Sequence, residues 1–415
     1  MLGGGPRRLN SLLDVVEQGV RRARSCYSTT AMKGASATKA GGIDRAVALH
    51  AKAENLREAG DHKRAAVAAR GALRLFERYE GRRHPDVAAA LLELGRAREL
   101  GDAWGEALGY YRRANTILRR FARLQNPDIR RLRVKSERAL CGVYRALGRY
   151  PLGDRHGRLA VDLAERYFGA RDLDLAGALN DVGMLRKYQG RYAEAPPLYR
   201  RSLAIVRRAG LGDSADAASI YHNLGGIEHA RGRYARAEVP ARRAVVLRTR
   251  ALGARHPSVA ADVAALAAIV EGRGRLTEAA RLYRRALTIF RRAFGPRSYE
   301  VGINLAGLAG ICANQGRAAL AERLYRQSHA IHLRLFGPHH IEVALTLNNL
   351  AMLVSARGRR PEALRIARQA LSAFQTACGP QHPHTRACAK NVAQLLEIAT
   401  SIAVPATSRS FDRNR

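Results

Sequence analysis

The stretch CGPQHPHTRAC carries Cys378, His382, His384 and Cys388, four side chains of the kinds that hold a borderline metal. Zinc is bound by thiolates and imidazoles in fours, so these residues are the first place to look for chemistry. Their spacing, C-x3-H-x-H-x3-C, is that of no common zinc module. Cys378 also falls at the register position of Phe294 and Phe336, which the pattern below makes core, and His382 at that of the inter-unit turn residues His84 and His256. A free cysteine in such a place behaves as a small hydrophobe. No metal and no cofactor is therefore expected. The chain has no G-x-x-x-x-G-K-[ST] phosphate loop, no G-x-S-x-G elbow and no H-E-x-x-H helix. The expectation is a protein that is not an enzyme.

A second set of residues is suited to binding. Arg112-Arg113, Arg200-Arg201, Arg242-Arg243 and Arg284-Arg285 recur in one register, and Arg119-Arg120, Arg207-Arg208 and Arg291-Arg292 follow seven residues later. Seven residues are about two helical turns, so both pairs share one helix face. The formal net charge is +37, from 72 basic and 35 acidic residues, and only seven of the bases are lysine. Such a surface favours polyanions: RNA, anionic lipid or acidic protein. Aromatics for stacking bases are scarce, with one Trp and eight Phe, which argues against sequence-specific reading of single strands.

The elements that position these residues come from an internal repeat. Ala65, Ala107, Gly153, Ala195, Ala237, Ala279, Ala321 and Ala363 are separated by 42 residues, except for one interval of 46 that contains RRFARLQNPDIRRLRVK. Twelve residues before them stand Ala53, Gly95, Cys141, Gly183, Gly225, Ala267, Ala309 and Ala351. Seven residues after them stand Ala72, Ala114, Ala160, Ser202, Ala244, Ala286, Ser328 and Ala370. Small residues in fixed register let helices approach closely. Leu347, Leu350, Ala351 and Val354, like Leu282, Tyr283, Ala286, Leu287 and Phe290, have helical spacing. Glycines in QGR and RGR should end helices. Prolines after His84, Asn126, His256 and His382 should open them, with Asn a good N-cap and His a poorer one. In the third unit Glu137 stands where a core residue belongs, and in the first Lys52 replaces a core leucine.

The small-residue register and the 42-residue period resemble tetratricopeptide repeats, in particular the long repeats of the kinesin light chain type. LFGPHHIEVALTLNNLAMLVSARGRRPEALRIARQAL and LGARHPSVAADVAALAAIVEGRGRLTEAARLYRRAL carry the resemblance, which covers residues 43–376. It implies an all-α, right-handed α-solenoid of about eight helix-turn-helix repeats with a C-terminal capping helix. It also implies that first helices line a concave groove and second helices the convex side, where the arginine pairs form a stripe. Positions ten, nine and six residues before each turn glycine then face the groove, with a further polar position three before. They place Asn180, Asp181, Lys187, His222, Asn223, His229, Asn348 and Asn349 there. Asparagine can both donate to and accept from a peptide backbone. Ala264, Ala265, Ala306 and Gly307 leave a smoother stretch. The resemblance thus implies a scaffold that binds a peptide segment of a protein partner, with polyanion binding by the arginine stripe as the alternative. The heptad segment of kinesin light chains has no counterpart in the first 42 residues, so a motor-subunit role is not implied.

The remaining expectations concern the ends and the compartment. Residues 1–42 read as a disordered leader, 43–404 as the repeat superhelix and 405–415 as a disordered tail. RRARSCYSTTAMKGASATK lacks acids, as a mitochondrial transit peptide does, whereas Asp14 and Glu17 precede it. Five scattered cysteines suggest a reducing compartment. The longest apolar run, AADVAALAAIV, is too short to span a bilayer. A cytoplasmic location is expected, with mitochondria as the alternative.

Overall fold

The computed structural model describes residues 37–101 and 103–403. The leader before residue 37 and the tail 405–415 lie outside the described residues, and the first helix begins at Ala37, inside the stretch read as leader. Among the described residues there are seventeen helices and no strand. They pair as hairpins: α1 (Ala37–Glu58) with α2 (His62–Tyr79), α3 (Pro85–Glu99) with α4 (Trp104–Arg119), α5 (Pro127–Ala146) with α6 (Tyr150–Phe168), and α7 (Leu173–Tyr188) with α8 (Ala195–Arg208). Next come α9 (Ala215–Ala230) with α10 (Tyr234–Leu252), α11 (Pro257–Gly272) with α12 (Leu276–Phe294), α13 (Tyr299–Asn314) with α14 (Ala318–Phe336), and α15 (Ile341–Ala356) with α16 (Arg360–Cys378). The last helix, α17 (Pro383–Ala403), packs on α16 as the terminal cap. The chain forms two compact units, one ending at Gly212 and one beginning at Asp213.

Burial explains the repeat. Every member of the three small-residue sets is buried. Where two members are serine, the hydroxyl is satisfied identically: Ser202 Oγ donates to Ala176 O at 2.7 Å and Ser328 Oγ to Gly302 O at 2.8 Å. Around these sites the first unit buries Leu91, Leu94, Tyr111, Leu118 and Leu140. The second buries Val263, Leu266, Phe290, Leu350 and Phe374. No hairpin has a second layer of its own, so its apolar stripe is covered only by the next hairpin.

The helix ends follow the sequence signals, with one correction. Gly274 takes φ 77°, where a side chain would be strained. There Arg275 N–H donates to Val270 O at 3.1 Å and Gly274 N–H to Glu271 O at 2.8 Å, closing α11. Asn126 caps α5 by accepting from the Asp128 and Ile129 amides. Histidine, expected to cap poorly, does the same work. Nδ1 of His84, His256 and His340 accepts the amide two residues on, at 3.3, 3.1 and 3.2 Å. The imidazole nitrogen reaches the amide as an asparagine oxygen would.

A second correction concerns the ends of the second helices. Phe294 is 49% exposed and Phe336 39%, and Cys378 is half-buried. They are the last residues of α12, α14 and α16, where the stripe has already left the interface. Glu137 is buried in the core register as expected, and it is partnered: Asn115 Nδ2 donates to it at 2.7 Å, and His156 Nδ1 lies 2.5 Å from its other oxygen. A buried carboxylate without such partners would be costly.

The arginines of the RGR turns also have partners that the repeat pattern does not announce. Arg273 and Arg275 reach back to Glu238 on α10, which Arg242 also meets at 2.7 Å. Arg357 and Arg359 reach back in the same way to Glu322 on α14, beside Arg326 at 2.7 Å. Asp154 on α6 is held by Arg158 and Arg186. These three acids each directly follow the turn's small residue and recur every 84 residues, in alternate hairpins. Burial alone would raise Glu238, but hydrogen bonds from Arg275, Arg273 and Arg242 bring its carboxyl down to about 2.

Candidate functional site

The expected groove residues all lie in first helices. In the first unit Asn180, Asp181 and Lys187 of α7 are half-buried. Asp181 accepts from Arg138 Nε of α5 at 2.7 Å. Asn180 Nδ2 lies 3.9 Å from Met184 Sδ. Burial, and then the neighbouring Arg145 guanidinium, hold Lys187 below the usual lysine range. Arg145 stacks on Tyr188, 4.9 Å from the ring centre. On α3, burial pushes the Glu99 carboxyl up to about 7 despite nearby Arg96 and Arg145.

In the second unit His222, Asn223 and His229 of α9 are half-buried. His222 is tied down: Nδ1 lies 2.8 Å from Asp262 Oδ1 of α11. Asp262 is 2% exposed and also accepts from Arg248 Nε at 2.9 Å. The His229 ring meets Tyr234 edge-on. On α15, Asn348 accepts from Asn391 Nδ2 of α17 at 3.0 Å, which leaves its own amide N–H groups to the face. Asn349 is exposed. Asn391 stands 43 residues after Asn348, a spacing the repeat could have flagged.

Tyr199, Tyr283 and Tyr325 of the second helices are buried. Tyr199 lays its ring on Gly183, where a methyl group would sit 2.6 Å from the ring. Its hydroxyl is buried and finds no hydrogen-bond partner among the described residues. Tyr283 donates its hydroxyl to Glu271 Oε2 of α11 at 3.3 Å. The glycine at the small position thus serves the ring as well as the helix contact.

The arginine pairs lie on the second helices, and in the first of their two registers six of the eight members are engaged. Arg112 donates to Tyr144 Oη at 3.0 and 2.9 Å, and Arg113 pairs with Glu77. Arg201 pairs with Glu165, Arg242 with Glu238 and Glu278, and Arg243 with Asp213. Arg200 donates only to the Pro196 carbonyl, at 3.3 Å. Arg284 and Arg285 of α12 are exposed and carry no ion pair among the described residues. The excess of positive charge is therefore partly spent on structure.

Cys378, His382, His384 and Cys388 do not converge on a common point. Cys388 is 1% exposed, with Sγ 3.8 Å from Ala367 O, and His384 stacks on Phe374. The ligand-type atoms that do lie together among the described residues belong to Glu80, His84 and Asp86, where the His84 Nδ1 already caps α3. No helix among the described residues is long and apolar enough to cross a membrane.

Residues 44–120, 133–208, 174–249, 216–292 and 300–376 match the family model of the tetratricopeptide repeat. No curated protein matches the chain. The apo form of the quorum sensor NprR from B. thuringiensis is similar in structure, with a TM-score of 0.59 at 14% identity over 88% of this chain and 96% of that one. A Rap protein complexed with Competence and Sporulation Factor gives a TM-score of 0.55 at 14% identity, over 87% of this chain and 99% of that one. Kinesin light chain-like repeats of Podosopora anserina share 21% identity over 48% of this chain and 94% of theirs, with a TM-score of 0.41. At these identities the likeness is one of fold.

Proposed function

Because the chain belongs to the tetratricopeptide-repeat family, we propose that it is a non-catalytic interaction scaffold whose first-helix groove holds an extended segment of a protein partner. The observation that carries this reading is the recurrence of polar side chains that keep some exposure at matching positions, on α7 in the first unit and on α9 and α15 in the second. Asn348 and Asn349 illustrate the chemistry. One is oriented by Asn391 and the other is open to solvent, so together they offer donors and an acceptor to a peptide unit.

Replacing Asn348 and Asn349 together by alanine should weaken partner binding by about 0.5–1.5 kcal/mol for each hydrogen bond lost, or about 2- to 12-fold. Thermal stability should fall by no more than the Asn391 hydrogen bond supplies, a similar 0.5–1.5 kcal/mol or so. Partner titration and thermal melts on the same sample decide it. A variant that melts early but binds normally per folded molecule would make the two asparagines structural.

A second reading has one observation in its favour. Arg284 and Arg285, with Arg291 and Arg292 two turns on, form an exposed patch on α12 without acidic partners among the described residues. A polyanion held there would release counterions, and its affinity would drop steeply as salt rises. The Arg284→Gln, Arg285→Gln variant should bind single-stranded RNA more weakly and with a shallower salt dependence. RNA affinity that ignores salt, or that this variant leaves unaltered, ends the reading.

A further inference from the structure

The smoother stretch of the first-helix face contains one acid without a counter-charge. Glu271 stands in the last turn of α11, half-buried, and forms no ion pair among the described residues. The equivalent position is His229 on α9 and Ala313 on α13, so neither neighbour brings an arginine to it. Three features of the placement work against stability. Burial disfavours the charged form. The C-terminal end of a helix repels an anion. And α11 and α13 have no basic residue in their last turns. In a chain of net charge +37, an acid without an ion pair among the described residues has only the Tyr283 hydroxyl to offset its charge.

The surroundings supply a reason. Tyr283 donates its hydroxyl to Glu271 Oε2, which leaves Oε1 and the lone pairs of the phenol oxygen available. Oε1 faces the space above Gly310: a methyl group on Gly310 would sit 3.8 Å from it. The same methyl would sit 3.4 Å from the hydroxyl of Tyr325, a residue only 6% exposed. One turn earlier, a methyl on Gly307 would sit 3.0 Å from the Tyr283 hydroxyl. A carboxylate oxygen and the Tyr325 hydroxyl therefore border the space above Gly310, with the Tyr283 hydroxyl on the other oxygen of the same carboxylate and its ring over Gly307. Oxygen acceptors from separate side chains suit the three donors of an ammonium; the planar fork of a guanidinium needs two acceptors in a plane.

We propose that the Glu271, Tyr283 and Tyr325 hollow receives a primary ammonium of the bound segment, carried by a lysine side chain or by the peptide N-terminus. The inference rests on the groove reading above and adds the chemistry of what the groove selects. The aliphatic stem of a lysine would lie over Gly310, which has no side chain of its own.

The test uses the full chain and its Glu271→Gln variant as baits for a library of random dodecapeptides. Selected peptides are resynthesised with the N-terminus free or acetylated, and with each lysine replaced by norleucine. Wild-type protein should select peptides with one indispensable amine, whose removal weakens binding by about 10- to 100-fold, as for a charged hydrogen bond. Sensitivity to norleucine identifies lysine; sensitivity to acetylation identifies the N-terminus. Glu271→Gln should lose the same factor, become indifferent to the amine, and melt no lower than wild type, since it removes a buried charge. Gly310→Leu, which fills the hollow, should also lose binding. If peptides bind but neither the amine nor Glu271 matters, the ammonium site is overturned while the groove stands. If no peptide is selected, or if Gly310→Leu and the Asn348, Asn349 double variant all bind as wild type, the groove reading falls and the inference with it.

Discussion

Replacing Asp262 by alanine should destabilise the second unit by about 3–5 kcal/mol, the cost of stranding a charge when one partner of a buried pair is removed. Asp262 is 2% exposed and holds two cation-type groups at once, Arg248 Nε at 2.9 Å and His222 Nδ1 at 2.8 Å. Without it, the Arg248 side chain, 13% exposed, keeps only Ser219 Oγ at 3.1 Å and the Ala215 carbonyl at 3.4 Å. These neutral acceptors do not offset a guanidinium withdrawn from water. The effect should be partly reversed by adding Arg248→Met, because removing both charges is far cheaper than removing one. Thermal unfolding of the two single variants and the double variant forms the cycle. A double variant as unstable as Asp262→Ala would mean that lost packing, not the stranded charge, is responsible. Because His222 lies on the proposed groove, Asp262→Ala should also weaken partner binding by folded molecules, whereas a purely structural Asp262 would leave that affinity intact.

The same network shows where sequence reading reaches and where it stops. The small residues at Ala53, Ala65, Ala72 and their equivalents were legible because close helix approach excludes large side chains at fixed intervals, whatever the neighbouring sequence. So were the glycine turns, since a φ of 77° at Gly274 is a property of one residue. The polar pairs that join hairpins were not legible, because each depends on two residues far apart in the sequence. Arg273 and Arg275 look like turn punctuation until Glu238, 35 and 37 residues earlier, is placed beside them. The 84-residue spacing of Asp154, Glu238 and Glu322 was the available signal, and it is hidden when every 42-residue unit is read as equivalent. Tyr283 has the spacing of a core residue, which is correct for its ring. A register assigns a whole residue to a face, whereas a tyrosine is long enough to bury its ring on one side and present its hydroxyl on the other. Phe294 and Phe336 fail in the opposite sense: the period continues to the helix end, but the neighbouring hairpin does not cover them fully.

Leu350→Ala should be as damaging to the fold as the neighbouring asparagine changes are mild. Leu350 is 3% exposed and belongs to the core that joins α15 to its neighbours, between the fully buried Ala351 and the half-buried Asn348. Truncation removes transfer free energy and leaves a cavity that rigid helices close only in part, for a loss of about 2–5 kcal/mol. The small residues decide where in that range it falls. With Ala309 and Ala351 both 0% exposed, the surroundings are already closely packed, so little further collapse can fill the space and the upper half of the range is expected. The damage should be local. Each hairpin is covered by its immediate neighbours, so weakening one interface frees the C-terminal hairpin and cap before the rest of the unit. Hydrogen exchange should therefore accelerate most in α15, α16 and α17, with the amides of α9 and α10 protected nearly as in wild type. Uniform acceleration across the second unit would show that it unfolds as one cooperative block, and that the interfaces between its hairpins are stronger than this packing implies. Binding measured on the folded fraction should stay within the wild-type range, because Leu350 contributes no polar atom to the groove. The contrast with Asn348 and Asn349, one and two residues away on the same helix, separates the side chains that hold the repeat together from those that meet a partner.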